Sequence, residues 1–387
     1  MSAQEGGEGL KKETLLVRAK MRFADADPIS TPIFQTSAFR SGDPYFYTRN
    51  TNPNFQEVED LFNRLDHGAG AVLYASGMGA IDAVLGLLQP GDKLLVHSLI
   101  YGCSYRFLSD HAERLKLRIE FLDLSDSKAL AKVLDARTKM VFFETPTNPF
   151  LRTINIRQIA SVAKKKNPAC WVVVDNTWAT PLFQNPLELG ADVAVYSCSK
   201  FFSGHSDLIL GVAIARDREV VESLRKKRFY SGAVPDPFAA WLLRRSLQTL
   251  DVRLQRHVEN TRRVLKFLGG HPAVKSICFP DVDGKQLRDY GGMLFFNLAD
   301  DPEGAKADRF AGALRLFDRG TSLASVGSAV AVPYTGSHLS MTEVEKARIG
   351  LDRSLIRLSI GIESGDDLIA DINSAIAQAQ KKRRSKV

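Results

Sequence analysis

Three short stretches of this chain hold residues able to do chemistry. The first is Trp171-Val172-Val173-Val174-Asp175. Three valines in a row describe a buried strand, so Asp175 falls where that strand leaves its sheet. A carboxylate there loses solvation unless a cation meets it. Taken alone it also reads as the cap of a turn through Asn176 and Thr177. The second stretch is Val195-Tyr196-Ser197-Cys198-Ser199-Lys200, read as a further strand. Alternation along a strand puts Ser197 and Ser199 on one face and Cys198 on the other. Two neighbouring hydroxyls at a strand end suit a phosphate. Lys200 follows, and then the turn-forming Gly204-His205-Ser206-Asp207. A partly neutral lysine amine is the nucleophile that condenses with an aldehyde, whereas most lysines are exposed surface charges. The third stretch, Ser76-Gly77-Met78-Gly79, lies between the apolar run Ala71–Tyr74 and a helix expected from Ala80 to Leu88. Glycines in that place leave N–H groups and a positive dipole end for a phosphate.

The three stretches suit one ligand better than three separate ones. Pyridoxal phosphate carries a phosphate, an aldehyde and a pyridine nitrogen. The hydroxyl pair and the glycine turn suit the phosphate, Lys200 suits the aldehyde as a Schiff base, and Asp175 suits the pyridinium. A carboxylate keeps that nitrogen protonated and makes the ring an electron sink. An NAD oxidoreductase would use the Gly77 turn alone, and Asp82 occupies the place of its third fingerprint glycine.

The elements around these residues alternate between helical and apolar-strand patterns from about Asn52 onward. Lys93–Val96, Met140–Phe143 and Trp171–Val174 are continuous apolar strands, which implies a mostly parallel sheet with helices on both faces. Function in such sheets gathers at the carboxyl ends of the strands. The fold class expected is α/β, with a smaller C-terminal α+β domain. Its parts are an arm over residues 1–49 with little periodic structure, a large domain over 50–245 and a small one over 246–387. The boundary falls inside a long helix expected from Pro237 to about Leu268. Strands are expected at Met293–Leu298 and Leu355–Ile362, and the last helix is capped near Ser364 with Leu368, Ile372 and Ile376 four apart.

Composition agrees with a globular protein, at 44% hydrophobic and 25% charged residues in 387. No apolar run approaches the ~18 residues of a membrane span, and the first residues lack the apolar core of a secretory signal. The four cysteines, Cys103, Cys170, Cys198 and Cys278, have no paired spacing, which suits a reducing cytosol and offers no metal site. The net charge of +8 (52 basic less 44 acidic residues) includes five cations from Lys381 to Lys386. Such a tail suits an anionic surface, or equally the solvated end of a helix. With no basic reading motif elsewhere, neither a nucleic-acid partner nor a membrane is expected.

Further stretches complete a resemblance. Tyr47-Thr48-Arg49 with Asn52-Pro53, Ala75-Ser76-Gly77-Met78, Tyr101-Gly102, Glu144-Thr145-Pro146-Thr147-Asn148-Pro149, Asp175-Asn176-Thr177, Ser197-x-Ser199-Lys200 and Arg357-Leu358-Ser359 follow one another in order. In this the chain resembles the Cys/Met-metabolism family of pyridoxal-phosphate enzymes, which includes cystathionine β- and γ-lyases, methionine γ-lyase and cystathionine γ-synthase. The resemblance implies fold type I and a homotetramer built as a dimer of dimers. It implies that Tyr47 and Arg49 cross from a neighbouring subunit, Arg49 gripping the phosphate. Gly77 and Met78 would donate backbone N–H groups to that phosphate, with Ser197 and Ser199 helping and Thr177 nearby. Tyr101 would stack on the cofactor ring and assist proton transfer, and Asn148 would lie near the cofactor hydroxyl. Arg357, Ser322 and Tyr47 would bind the amino-acid substrate. Alternation in Leu355–Ile362 sets Arg357 opposite its aliphatic neighbours, which equally describes a surface cation on a half-exposed strand.

The chain departs from the family in two places. The usual Ser-Leu-Gly-Gly-x-Glu-Ser is Ser322-Leu323-Ala324-Ser325-Val326-Gly327-Ser328 here, and the loop before Gly291-Gly292-Met293 is shortened to Phe279–Gly284. The activity expected is a carbon–sulfur lyase that eliminates a sulfur group from Cβ or Cγ of cystathionine or a related amino acid. The alternative is γ-replacement, in which a thiol adds to an activated homoserine ester.

Overall fold

The structure is a computed structural model that describes residues 9–21, 23, 28–320 and 323–381. Ser322 and the basic tail beyond Lys381 lie outside the described residues. The chain divides into two compact units. The first takes residues up to His97, Ala112–Glu144 and Asn155–Asp251; the second takes Ser98–His111, Thr145–Ile154 and the chain from Val252 on.

The first unit is built on seven strands: β1 (Gly70–Tyr74), β2 (Lys93–His97), β3 (Arg118–Leu122), β4 (Thr138–Glu144), β5 (Trp171–Asp175), β6 (Val193–Ser197) and β7 (Gly211–Ala215), in the order β1-β7-β6-β5-β4-β2-β3. Strands β3, β2, β4, β5 and β6 run parallel, and β7 is antiparallel to both β6 and β1. Every residue of β7 is buried, so both faces of the sheet are covered there, as continuous apolar strands require.

β6 stops at Ser197, three residues short of the strand expected through Lys200. Cys198 N–H still donates to Leu210 O at 2.8 Å, but Leu210 N–H then turns to Ser199 Oγ at 3.2 Å and Lys200 N–H to Ser197 O at 3.4 Å. The side-chain hydroxyl has replaced a ladder partner and the chain has folded into a turn. Ser199 and Lys200 are therefore placed by that turn and not by strand alternation.

The expected arm contains a helix, Lys12–Arg18, whose Leu15 and Leu16 are buried. Arg244 Nη1 donates to Leu16 O at 2.9 Å, Trp241 Nε1 to Thr31 O at 2.8 Å, and Thr31 Oγ1 to Glu57 at 2.8 Å. Short local periodicity hid this helix, since seven residues give barely two turns of pattern. The single helix expected from Pro237 to Leu268 is two, Pro237–Leu247 and Leu250–Gly269. Between them Thr249 N–H and Oγ1 both reach back to Ser246 O, at 3.2 and 3.1 Å, which tightens the turn and ends the first helix. The helix after Ser76 begins at Gly77 and ends at Leu85, earlier at both ends than expected.

The second unit has five strands, β8 (Val274–Cys278), β9 (Met293–Leu298), β10 (Asp318–Arg319), β11 (Ala329–Ala331) and β12 (Leu355–Ser359), in the order β10-β11-β12-β9-β8. β9 and β12 are antiparallel and buried throughout. The Gly365–Gln380 helix carries its buried Leu368, Ile372 and Ile376 on one face, and Ser364 caps it. Tyr101 and Asn148 belong to this unit although they come early in the chain. Gln286 Nε2 donates to Ile154 O at 2.8 Å, and a Cβ on Gly102 would stand 2.7 Å from Ser337 O.

One contact in the first unit fixes where the Gly77–Leu85 helix begins. A Cβ on Gly211 would lie 2.3 Å from Ser76 O and 2.6 Å from Gly77 Cα, so β7 passes the turn with no room for a side chain. Gly211→Ala must push the helix start away and is expected to lower stability by about 1–3 kcal/mol. Gly269→Ala meets nothing within 4 Å. It is expected to stay within about 0.5 kcal/mol of the parent or to gain slightly. Urea unfolding of both variants checks the contrast, and equal loss in the two would remove the argument.

Candidate active site

At the carboxyl ends of β5 and β6 a threonine joins two strands. Thr177 Oγ1 donates to Asp175 Oδ1 at 2.6 Å and accepts from Ser197 N–H at 2.8 Å, while Thr177 N–H also donates to Asp175 Oδ1 at 3.0 Å. The turn that Asp175 was able to cap is therefore present, and the carboxylate is nonetheless held at the strand end. Burial pushes its pKa up, opposed first by the two Thr177 bonds and then by the charge of Lys200. The site has supplied hydrogen bonds to the carboxylate but has not replaced its lost solvation, so a cation brought against it is favoured.

Gly77, Met78 and Gly79 form the first turn of their helix. Ser76 caps it, its hydroxyl accepting from Gly79 N–H at 3.0 Å. A Cβ on Gly77 would come within 2.9 Å of Ser197 Cβ and 3.2 Å of Ser197 Oγ. Only glycine lets the positive helix end lie directly against the hydroxyl-bearing strand end. Ser199 Oγ lies at 3.2 to 3.4 Å from Leu210 N and O, so the second hydroxyl of the expected pair is tied to the neighbouring strand's approach. The arrangement suits pyridoxal phosphate on this chain's own evidence. A helix end and a hydroxyl stand at a backbone approach too close for a Cβ, and a desolvated carboxylate shares the strand ends with Lys200.

Tyr47 and Arg49 belong to the first unit. Arg49 Nη1 donates to Phe229 O at 2.9 Å, and its guanidinium lies 4.3 Å from the Phe229 ring centre and 5.3 Å from that of Tyr47. Within its own chain Arg49 is thus engaged with aromatic rings. Tyr47 is partly exposed and its neighbour Phe46 largely so.

The second unit gathers Tyr101, Asn148 and Arg357. Arg357 is 1% exposed on the fully buried β12, so it is not a surface cation. Burial pushes its pKa down to about 10, and Tyr101 pulls in the opposite direction. Asn148 is buried, and its Oδ1 has no hydrogen-bond partner among the described residues. The segment that departs from the family is braced at the far end of the same strand. Ala324 N–H donates to Ser359 Oγ at 2.8 Å, and Ser328 N–H to Glu363 at 2.7 Å. Cys103, one residue beyond Gly102, is exposed.

Sequence reasoning missed His338. It is fully buried, its ring beside the backbone carbonyls of Asn148 and Ile100 and near Arg357. Burial pushes its pKa down to about 4. A lone histidine in the loop Tyr334–Met341 carries no pattern, and only the packing of Gly102 against Ser337 and His338 reveals it.

Comparison with known proteins agrees with this geometry. The family described as Cys/Met metabolism PLP-dependent enzyme matches residues 13–377. The cystathionine gamma-lyase of Bacillus subtilis is 33% identical over 95% of this chain and 99% of its own length. The L-methionine gamma-lyase of Pseudomonas deceptionensis is 36% identical over 86% of this chain and 85% of its own. Among solved structures, cystathionine gamma synthase from Xanthomonas oryzae pv. oryzae in complex with cystathionine aligns with a TM-score of 0.91. It is 36% identical and covers 96% of this chain and 98% of that one. A large sheet of mainly parallel strands, a second smaller sheet and a lysine beside a strand-end carboxylate place the chain in the Cys/Met-metabolism family of pyridoxal-phosphate enzymes, with the fold of type I.

Proposed function

We propose that the protein is a carbon–sulfur lyase of sulfur amino-acid metabolism, acting on cystathionine or a close relative. The observation that carries this reading is the desolvated Asp175 carboxylate sharing its strand ends with Lys200. Pyridoxal phosphate, when bound, supplies an electron sink for negative charge at the substrate Cα. Asp175 would hold the ring nitrogen protonated. The Gly77–Met78 helix end, with Ser197 and Ser199, would bind the phosphate, and Thr177 would keep Asp175 and Ser197 in register. Lys200 would carry the cofactor and then take and return the proton at Cα. Arg357 would clamp the substrate carboxylate with its planar fork, and Tyr101 and Asn148 would orient the reacting groups. By the resemblance, Ser322 would also contact the substrate.

Removing the Lys200 amine removes both the attachment point and the base. Lys200→Ala is expected to lower kcat by about 10³-fold or more and to abolish the borohydride-reducible lysine adduct. Full turnover with an intact adduct would sink the assignment. Asp175→Asn keeps the shape but not the charge, and kcat is expected to fall about 10²-fold with cofactor occupancy confirmed by absorbance. Wild-type turnover at full occupancy would refute the role.

Product analysis with cystathionine separates the chemistries. Homocysteine marks cleavage at Cβ, cysteine marks cleavage at Cγ, and cystathionine formed from an activated homoserine ester and cysteine marks γ-replacement. The last has specific support in the synthase structure that this chain matches at a TM-score of 0.91. If none of the three is seen with cofactor-loaded protein, the lyase reading fails. Four free thiols, at Cys103, Cys170, Cys198 and Cys278, support a cytoplasmic setting.

The working protein is read as a homo-oligomer, a dimer of dimers, with Tyr47 and Arg49 entering the neighbouring subunit's site. The support is an arm that exposes Phe46 and Tyr47 and an Arg49 whose partners in its own chain are aromatic. Mixing Arg49→Ala with Lys200→Ala protein should restore part of the activity, because one site of each mixed dimer would receive both intact residues. Verified heterodimers that stay inactive would mean that Arg49 serves its own chain.

A further inference from the structure

Behind the two strand ends that carry Asp175 and Ser197 lies a buried polar network that the chemistry above does not use. Tyr196 alternates with Ser197 on β6, so its side chain projects from the opposite face. Its hydroxyl donates to Asp66 Oδ2 and accepts from Asn176 Nδ2 at 3.0 Å. Asn176 directly follows Asp175, and its amide is satisfied on every side. Nδ2 also donates to Gln184 O at 2.9 Å, and Oδ1 accepts from Gln184 Nε2 at 2.6 Å. Asp66, the last residue of the Pro53–Asp66 helix, is fully buried and accepts from Asn185 Nδ2 at 3.1 Å. Asn185 Oδ1 in turn accepts from Lys12 Nζ at 2.6 Å, and Lys12 also donates to Pro181 O at 2.6 Å.

A buried carboxylate with this many partners is an expensive way to fill space. Apolar residues of the same volume would serve stability as well or better. What an apolar filling cannot do is fix direction. The Tyr196 hydroxyl has one proton to give, and Asp66 takes it, so the hydroxyl lone pair must face the Asn176 amide. That choice ties the residue after Asp175 to the residue before Ser197, from behind, while Thr177 ties Asp175 to Ser197 from the front.

We propose that Asp66, through Tyr196 and Asn176, is a positioning residue for the cofactor, setting the separation of the β5 and β6 ends that present Asp175 and Ser197. The proposal rests on the cofactor assignment given above for those two residues. Lys12 completes it, so that docking of the Lys12–Arg18 helix on its own chain supports the cofactor site from more than one residue layer away.

The test compares two buried tyrosines of the same sheet. Tyr196→Phe removes the hydroxyl that joins Asp66 to Asn176. Tyr74→Phe removes a hydroxyl that donates to Leu224 O at 3.0 Å and is not part of the network. Tyr196→Phe loses two buried hydrogen bonds and Tyr74→Phe loses one, so both are expected to lower the melting temperature. Only Tyr196→Phe is expected to raise the dissociation constant of pyridoxal phosphate from the holoenzyme, by about tenfold, and to shift the cofactor absorption band. Should Tyr196→Phe unfold because the Asp66 carboxylate is left short of a donor, the double variant Asp66→Asn with Tyr196→Phe removes that buried negative charge. Weak cofactor binding is expected to persist in it. A dissociation constant and band equal to wild type in a folded Tyr196→Phe or double variant would overturn the proposal and leave the network a purely stabilising one. A wild-type protein that fails to bind pyridoxal phosphate would instead overturn the cofactor assignment itself.

Discussion

The first unit presents at its strand ends a carboxylate largely withdrawn from water. Asp175 stands at the end of a strand whose preceding three valines are fully buried. Burial is the largest influence on its pKa, and two hydrogen bonds from Thr177 with the charge of Lys200 offset it only in part. A carboxyl group with its pKa raised resists ionisation unless a cation arrives, so the strand end is primed for a positively charged partner. A pyridinium nitrogen would be such a partner, and its own pKa would rise beside the carboxylate. Each group makes the charged form of the other more favourable, which a neutral residue at this position could not do.

A partner this demanding must be met by parts held at fixed distances, and close backbone approaches do that. Gly211 lets β7 pass within touching distance of Ser76, and Gly77 lets the helix start rest on Ser197. These contacts carry no attraction of their own. They act by exclusion, since any side chain would force the helix end away from the hydroxyl it must work beside. The antiparallel entry of β7 into an otherwise parallel run delivers Gly211 opposite Ser197 in register. The topology of the sheet edge and the close seat of the helix start on β6 are thus one feature.

What the sequence made legible was whatever left a local pattern. Runs such as Trp171–Val174 named buried strands, and residues at their ends named a site, because a parallel sheet always presents its carboxyl ends together. The motifs then carried Tyr101, Asn148 and Arg357, whose shared unit no periodicity would have shown. The failures are equally local in origin. Alternation was extended through Ser199 because nothing in Ser197-Cys198-Ser199 announces that a hydroxyl will replace a ladder acceptor. The Lys12–Arg18 helix was invisible because it is held by Arg244, 228 residues from Leu16 in sequence, which Glu57 in turn anchors. Asp66, Tyr196 and His338 escaped for the same reason. A single buried polar residue has no spacing rule, and its meaning lies wholly in partners brought by the fold.

The second unit poses the opposite electrostatic problem. Arg357 is a buried cation, and its pKa of about 10 still leaves it charged at neutral pH. A charge kept in such a place needs its surroundings free of competing positive charge, and His338 is the neighbour that decides this. With its pKa pushed down to about 4, His338 is neutral throughout the physiological range and adds no repulsion. Because its folded pKa lies below the ordinary value near 6.5, the unfolded chain binds the proton first. The stability contributed by neutral His338 is therefore complete above about pH 6.5 and is lost as pH falls toward 4. Acid would then place a second cation against Arg357. Neutral burial of His338 thus keeps an added positive charge from the side of Arg357, and a guanidinium binds a carboxylate more strongly where no added cation competes for it.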